Sequence, residues 1–382
     1  MNVNDIKKIA VVGAGDMGHG IAEVALLGGY RVTLNDIKQE FVERGLNRIK
    51  ESLAKLAGKG KISEDGHRDM LGSIETVVGL EEAVKDADFI IEAVPEVMET
   101  KKGVFRELDR LAPKHAVLAS NTSNMSITEI AGATTRPGQV VGMHFFNPAV
   151  LMKLVEVIRG AKTSDETMQL TYDLAVKMGT VPVRVEKDSA GFIYNRINAP
   201  VQLLLNEIVA RNLAEPEEID AAVRKTGMPM GPYELMDYVG NDVVYDESGY
   251  FAEKLSPDYR PARWLKEIVD AGKLGKKSGQ GIFDWSNGRP EIDLTKARAD
   301  FDVNDILALQ VNEGTKLLEE GVASSAEDIN TVMVNGGGAT EGPFQEARGI
   351  GFDSIASKCE ELADRFGMEV FRPTETLKRG KI

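Results

Sequence analysis

Cysteine occurs once in 382 residues, at Cys359, so no internal disulfide can form and no thiolate zinc site is available. A reducing, cytoplasmic location and the absence of a metal are the expectations. Histidine is nearly as scarce: His19, His67, His115 and His144 are the only imidazoles among which a proton acceptor can be sought. No apolar run reaches the roughly 20 residues that a bilayer span needs. The polar start MNVNDIKKIAVVG passes directly into a strand-like run, so neither a signal peptide nor a membrane protein is expected. Positive charge is outnumbered, 46 Lys and Arg against 60 Asp and Glu, and a net charge of −14 argues against nucleic-acid binding through the overall field. An anionic ligand must find a local positive site. What is plentiful is apolar residue, at 42%, in a chain too long for one core, which implies two or three globular domains.

Ile9-Ala-Val-Val12 has the character of a buried parallel strand. Gly13-Ala14-Gly15-Asp16-Met17-Gly18 follows, and then an amphipathic stretch to Leu27. Strand, glycine turn and helix in that order form a dinucleotide-binding signature. Gly13 permits the tight turn, Gly15 lets backbone approach a pyrophosphate, and Gly18 lets the helix pack closely on the strand. Asp36 stands at the carboxyl end of a second strand-like run, Arg31 to Leu34. A carboxylate there accepts hydrogen bonds from ribose hydroxyls and repels a 2′-phosphate, so NAD is expected rather than NADP.

Further strand-like runs at Phe89 to Ala93, Ala116 to Leu118, Val140 to Met143, Leu154 to Ile158 and Val181 to Val185, with helical patterns between several of them, predict an α/β domain with a Rossmann-type doubly wound sheet. Beyond Lys187 the pattern is helical, with helices expected over Phe192 to Arg211, Pro216 to Lys225 and Tyr250 to Ala271. An ordered series recurs within this region. Asn206-Glu207, Glu217-Glu218-Ile219-Asp220 and Gly231-Pro232-Tyr233 return as Asn312-Glu313, Glu327-Asp328-Ile329-Asn330 and Gly342-Pro343-Phe344. Three parts are expected: an NAD-binding domain over 1–187, a helical substrate and catalytic domain over 188–290, and a second, structural helical repeat over 291–382.

His19 falls in the pyrophosphate helix, His67 in a polar segment between helices and His115 in a linker, all structural or solvated positions. His144 closes the run Val140-Val-Gly-Met143, and in open α/β sheets ligands bind beyond the carboxyl ends of strands. Taken alone, a strand-end histidine is more often a hydrogen-bonded structural group. Glu156 interrupts the apolar run Leu154-Val-Glu-Val-Ile158, and a carboxylate inside a buried strand needs a partner. That partner is either His144, whose tautomer it would fix, or an Arg or Lys, unless that strand face is exposed. Ala119-Ser-Asn-Thr-Ser-Asn124 and Gly191-Phe-Ile-Tyr-Asn-Arg196 present hydroxyls and amides that suit a substrate oxygen, or else turn and cap chemistry.

Together Gly13-x-Gly-x-x-Gly18, Ala119-Ser-Asn-Thr-Ser123, Gly142-Met-His-Phe-Phe-Asn-Pro148, Met152-Lys-Leu-Val-Glu156, Gly191-Phe-Ile-Tyr-Asn-Arg196, Met230-Gly-Pro-Tyr-Glu-Leu235 and Gly275-Lys-Lys-Ser-Gly-Gln-Gly281 resemble the 3-hydroxyacyl-CoA dehydrogenase family over residues 1–285, in its long form with tandem helical domains. The resemblance implies His144 and Glu156 as the catalytic pair, with Ser123 and Asn195 positioning substrate. It extends the NAD contacts from Gly13, Ala14, Gly15, Asp16, Met17, Gly18 and Asp36 to Glu96, Lys101, Ser123, Asn147 and Lys277. CoA contacts would include Ser52 and Lys59.

The function expected is reversible, NAD-dependent oxidation of (S)-3-hydroxyacyl-CoA, 3-hydroxybutyryl-CoA included, to 3-ketoacyl-CoA. Arg48, Lys50, Lys55, Lys59 and Lys61 against Glu51 suit CoA phosphates, although a solvated helical face reads the same way. The rivals are a related dehydrogenase of a small hydroxy or sugar acid and a dinucleotide-binding protein without turnover. In short members of the family the helical domain pairs across a dimer, so the second repeat is expected to take that partner's place as an internal pseudo-dimer, with further oligomerisation left open.

Overall fold

The computed structural model describes residues 1–380 and 382, so the expected third domain, 291–382, includes one residue outside the described set. Eight strands form one sheet: β1 Lys8–Val12, β2 Arg31–Asp36, β3 Ile74–Val78, β4 Phe89–Glu92, β5 Val117–Ser120, β6 Val140–Phe145, β7 Leu154–Ile158 and β8 Val181–Val185. Their order is β3-β2-β1-β4-β5-β6-β7-β8, with every neighbouring pair parallel except β6 and β7. β1, β4, β5, β6 and β7 are buried along their whole length, as continuous apolar runs require when helices cover both faces. The order reverses at β1, which has β2 on one side and β4 on the other, giving the switch point of a doubly wound sheet. β3 is the strand sequence reading missed. It is a half-exposed edge strand, and Lys8 reaches across to its Glu75 at 2.5 Å.

Beyond Val185 the described residues hold no strand, only isolated bridges at Gly275, Gln280 and Asp284. Two helix expectations need correction. Tyr250 to Ala271 is not one helix: the Asn241–Lys254 helix ends, a short 3-10 turn spans Pro257–Tyr259, and a new helix runs over Arg263–Asp270, because Pro257 and Pro261 cannot continue the backbone ladder. His67 lies inside the Glu64–Gly72 helix rather than between helices. No helix among the described residues is long and apolar enough to cross a membrane.

Contacts group the described residues into two units. One holds Met1–Phe192 with Gly321–Gly338, and the other Ile193–Glu320 with Ala339–Ile382. Within the first, the Ala326–Gly337 helix packs on β7 and β8, and Glu186 N donates to Val322 O at 2.9 Å. A piece of the second repeat thus covers the far edge of the sheet. Within the second unit, the Tyr194–Ala210 helix packs along the Asn304–Glu319 helix. Buried Arg196 bonds there to Glu313, and to Glu320 at 2.9 Å. Asp237, also buried, gathers Ile282 N, Phe283 N, Trp285 Nε1 and Asn241 Nδ2, each at 2.8 to 3.0 Å. A Cβ on Gly281 would strike the Asp237 carboxylate at 2.0 Å and one on Gly275 the Asp237 carbonyl at 2.1 Å, so this glycine-rich segment is built closely around Asp237.

The repeat is real, but its register in the long helices differs from the Asn-Glu correspondence. The first helix ends at Ala210 with Asn212 at φ +53, and its counterpart ends at Glu319 with Gly321 at φ +69. Matching these left-handed stops sets 109 residues between copies, so Asn206 corresponds to Thr315 and Leu203 to Asn312. The spacing becomes 111 at Gly240 and Gly351, and 112 at the 3-10 turns Pro257–Tyr259 and Glu369–Phe371.

One buried charge links the first unit's packing to pH. Glu23, in the Gly18–Leu27 helix, is fully enclosed; it accepts a hydrogen bond from Ser52 Oγ at 2.6 Å, and its Oε2 has no partner. Burial pushes its pKa up to about 7, only partly opposed by the Ser52 bond. Because the folded state holds this proton more tightly than the unfolded chain, stability falls as pH rises from the ordinary glutamate value through 7. The stability of Glu23→Gln relative to the parent should therefore rise by about 3 kcal/mol between pH 4.5 and pH 8. Urea titrations across that range check this, and a pH-independent gap would contradict it.

Candidate active site

Six strands, β1 to β6, run parallel, and the loops that follow their carboxyl ends emerge on one edge of the sheet. After β1, Gly13 takes φ +106, and a Cβ there would meet Ala93 O at 2.4 Å; one on Gly18 would meet Gly13 O at 1.8 Å. Around Gly15, by contrast, the Cβ direction is open to beyond 4 Å. Two glycines are thus needed for packing and the third leaves room for a ligand, as a pyrophosphate on the helix N-terminus requires. The Nδ1 of His19 lies 2.8 Å from Gly15 O. Asp36, at the end of β2, accepts Ala14 N at 2.8 Å and Ile37 N at 2.7 Å, which ties the glycine loop to the end of β2. Asp16 is ion-paired with Arg48 on the surface.

The loops after β4 and β5 are bound together by a buried charge cluster. Glu92, wholly buried at the end of β4, accepts Ser120 Oγ at 2.6 Å, Val94 N at 2.7 Å and Lys101 Nζ at 2.8 Å. Lys101 also reaches Glu96 at 3.1 Å. Burial alone would lower the Lys101 pKa, but Glu92 and Glu96 outweigh it and hold it above the ordinary lysine value. Glu96 in turn accepts Ser123 N at 2.9 Å and the Thr122 hydroxyl. Three expected contacts, Glu96, Lys101 and Ser123, therefore form one connected group. Glu92 went unnoticed in the sequence, although a charge ending the apolar run Phe89-Ile-Ile is the same signal that singled out Glu156.

His144 lies in β6 and Glu156 in β7, and the antiparallel register sets them directly opposite one another on the same sheet face. His144 Nδ1 is 2.7 Å from Glu156 Oε2, and both side chains are buried. The Phe146 ring centroid lies 4.5 Å from the imidazole and that of Phe192 6.0 Å away. Phe192 takes φ +53, a strained conformation for a phenylalanine, directly after Gly191 at φ +76. Asn121, missed among the turn residues, accepts Phe145 N at 2.8 Å and donates its own N–H to Glu92 O, so it braces the ends of β4, β5 and β6. Asn147 is exposed, two residues past the end of β6 and before a cis peptide to Pro148.

The remaining expected residues stand elsewhere. Ser52 and Lys59 are on and just beyond the Gln39–Gly58 helix, Ser52 bonded to Glu23 and Lys59 exposed. Asn195 and Lys277 belong to the second unit, Asn195 in the first turn of the Tyr194–Ala210 helix and Lys277 paired with Asp242 at 2.6 Å.

The family model "3-hydroxyacyl-CoA dehydrogenase, NAD binding domain" matches residues 8–189, and "3-hydroxyacyl-CoA dehydrogenase, C-terminal domain" matches twice, at 191–285 and 301–380. A probable 3-hydroxybutyryl-CoA dehydrogenase of Bacillus subtilis is 46% identical over 287 residues, 74% of this chain and 98% of that protein. A fatty acid oxidation complex subunit alpha of Psychrobacter cryohalolentis is 33% identical over 94% of this chain and 53% of its own length. The crystal structure of 3-hydroxybutyryl-CoA dehydrogenase from Escherichia coli K12 superposes with a TM-score of 0.88, at 30% identity, over 98% of each chain.

Proposed function

The chain belongs to the 3-hydroxyacyl-CoA dehydrogenase family and is an NAD-dependent oxidoreductase, and we propose that it reversibly oxidises (S)-3-hydroxyacyl-CoA, 3-hydroxybutyryl-CoA included, to 3-ketoacyl-CoA. The observation that carries the mechanism is the buried 2.7 Å contact between His144 Nδ1 and Glu156. With Nδ1–H donated to the carboxylate, Nε2 keeps its lone pair and is the nitrogen that takes the C3 hydroxyl proton. Glu156 then faces the imidazolium that results and stabilises it without moving. NAD, when bound, supplies the acceptor for the hydride that leaves C3. Ser123 and Asn195 are assigned the orientation of the C3 oxygen, and in the reverse direction the His144 imidazolium returns the proton to it.

The cofactor is assigned to the backbone of Gly13, Ala14, Gly15, Asp16, Met17 and Gly18, with Asp36 on the ribose. Glu96, Lys101, Ser123, Asn147 and Lys277 take the further contacts. The open space at Gly15 supports the pyrophosphate assignment. CoA is assigned to Ser52, Lys59 and the basic face around them. The lone cysteine supports a cytoplasmic location. We further propose that the unit over about 296–370 packs on the unit over about 190–285 as an internal pseudo-dimer, supported by the helix contact through Arg196, Glu313 and Glu320.

His144→Gln should lower kcat for acetoacetyl-CoA reduction by roughly two to four orders of magnitude while NADH still binds, and Glu156→Gln should lower it too. Near-normal turnover by His144→Gln would remove this residue from the mechanism. Asp36→Ala should weaken NADH binding and narrow its preference over NADPH, which paired KM measurements would detect. A chain ended near Asn287 keeps every assigned catalytic residue but should self-associate or aggregate, since it bares the apolar face that the second copy covers. A well-behaved, fully active monomer would refute the internal pairing.

A further inference from the structure

A carboxylate stands where the cofactor's own negative charge is to bind. Asp16 follows Gly15 directly in the glycine turn, two residues ahead of the Gly18–Leu27 helix, and its side chain is 79% exposed. The N-terminus of that helix is the positive end on which a pyrophosphate rests. An anionic side chain beside it competes for the dipole and repels the ligand. Asp16 does not stand alone, because Arg48 Nη1 donates to its Oδ1.

Arg48 reaches this turn because of a glycine in its own helix. Gly45 is buried within the Gln39–Gly58 helix, and a Cβ there would meet Ala14 O at 2.9 Å and Ala14 Cβ at 3.1 Å. The missing side chain lets the helix lie directly on the glycine turn. Arg48 is three residues further on, so it shares that face, and Ser52, four beyond it, meets Glu23 of the cofactor helix at 2.6 Å. The arginine is engaged at one point only. A guanidinium carries five N–H donors, and the bond to Asp16 is the one hydrogen bond that the Arg48 side chain makes among the described residues, with that side chain 46% exposed. The rest of the fork is open to a phosphate, which arginine can grip at two oxygens.

We propose that Arg48 is a further cofactor-binding residue, which neutralises Asp16 and offers its remaining N–H groups to the NAD pyrophosphate. The inference rests on the assignment of that pyrophosphate to the turn from Gly13 to Gly18, and it takes Arg48 out of the basic face assigned to CoA. Lys59 lies about 16 Å along the helix from Arg48 at the usual rise per residue, so one end of the face serves the cofactor and the other CoA. Asp16 in turn holds a long, flexible side chain at the turn before the ligand arrives, which reduces the ordering cost of binding.

NADH titrations followed by nucleotide fluorescence, without acyl-CoA, test this. Arg48→Met should raise the NADH Kd by about tenfold, the scale of one lost charge-assisted hydrogen bond, and Arg48→Lys, which keeps the charge but not the fork, should raise it less. Adding Asp16→Asn to Arg48→Met should recover part of the loss, because no unpaired carboxylate then faces the pyrophosphate. ADP-ribose, which has the pyrophosphate, should lose affinity for Arg48→Met by the same factor as NADH, and adenosine, which lacks it, should not. An unchanged NADH Kd in Arg48→Met would overturn the proposal. So would a double variant no tighter than Arg48→Met, a loss shared equally by adenosine, or a loss confined to the KM for acetoacetyl-CoA. Gly15→Val reports the underlying assignment separately: NADH binding that survives a side chain there would sink the pyrophosphate assignment, whereas binding lost in Gly15→Val and unchanged in Arg48→Met would sink only the role of Arg48.

Discussion

A carboxylate in the middle of a buried strand is tolerated only if another group meets it, and Glu156 is that carboxylate. The one antiparallel pairing in the sheet brings His144 opposite it. A parallel β7 would place the two side chains in a different register, and Glu156 would need some other cation. The pairing does two things with one contact: it makes the buried charge affordable, and it orients an imidazole at the edge where the loops of the sheet converge. The rest of the first unit can be read as support for that edge. Asn121 braces β4, β5 and β6, and the Glu92, Lys101 and Glu96 cluster holds the Ser123 loop in place through charges that are mutually satisfied.

The duplicated helical region is less symmetrical in use than in sequence. A segment of the second copy, Gly321–Gly338, groups with the sheet and covers its β7 and β8 edge, so it lies behind the strand that carries Glu156. An uncovered edge strand is a pairing hazard, and the covering helix removes it. The remaining helices of that copy pack on the first copy through a buried arginine and two glutamates. Such an arrangement adds little net energy over apolar packing but fixes one register, since an unpaired buried charge is far costlier than a paired one.

Much of this was legible in the sequence because the signals were local. The Gly13 to Gly18 turn states its own geometry through residue size, and the structure returns the same division of labour: two glycines enclosed and one open. His144 and Glu156 were legible as breaks in apolar runs, though only strand order and direction decide that they meet. Glu92 gave the same signal and was passed over, since a charge at a strand end is less conspicuous than one in its middle. β3 was missed because a half-exposed edge strand lacks a continuous apolar run. The Asn206 and Asn312 correspondence misled because two Asn-Glu pairs three residues out of register still fall near one helix face. Only the left-handed stops at Asn212 and Gly321 fix the true offset.

The central claim is that Glu156 holds His144 with Nδ1 protonated and Nε2 free to accept a proton. Nitrogen-15 shifts of the imidazole, in protein labelled at histidine and assigned against the His144→Gln spectrum, read that tautomer directly in the neutral ring. The account predicts a protonated Nδ1 and a bare Nε2 for His144. A neutral His144 carrying its proton on Nε2 would contradict it, whatever the protein's activity.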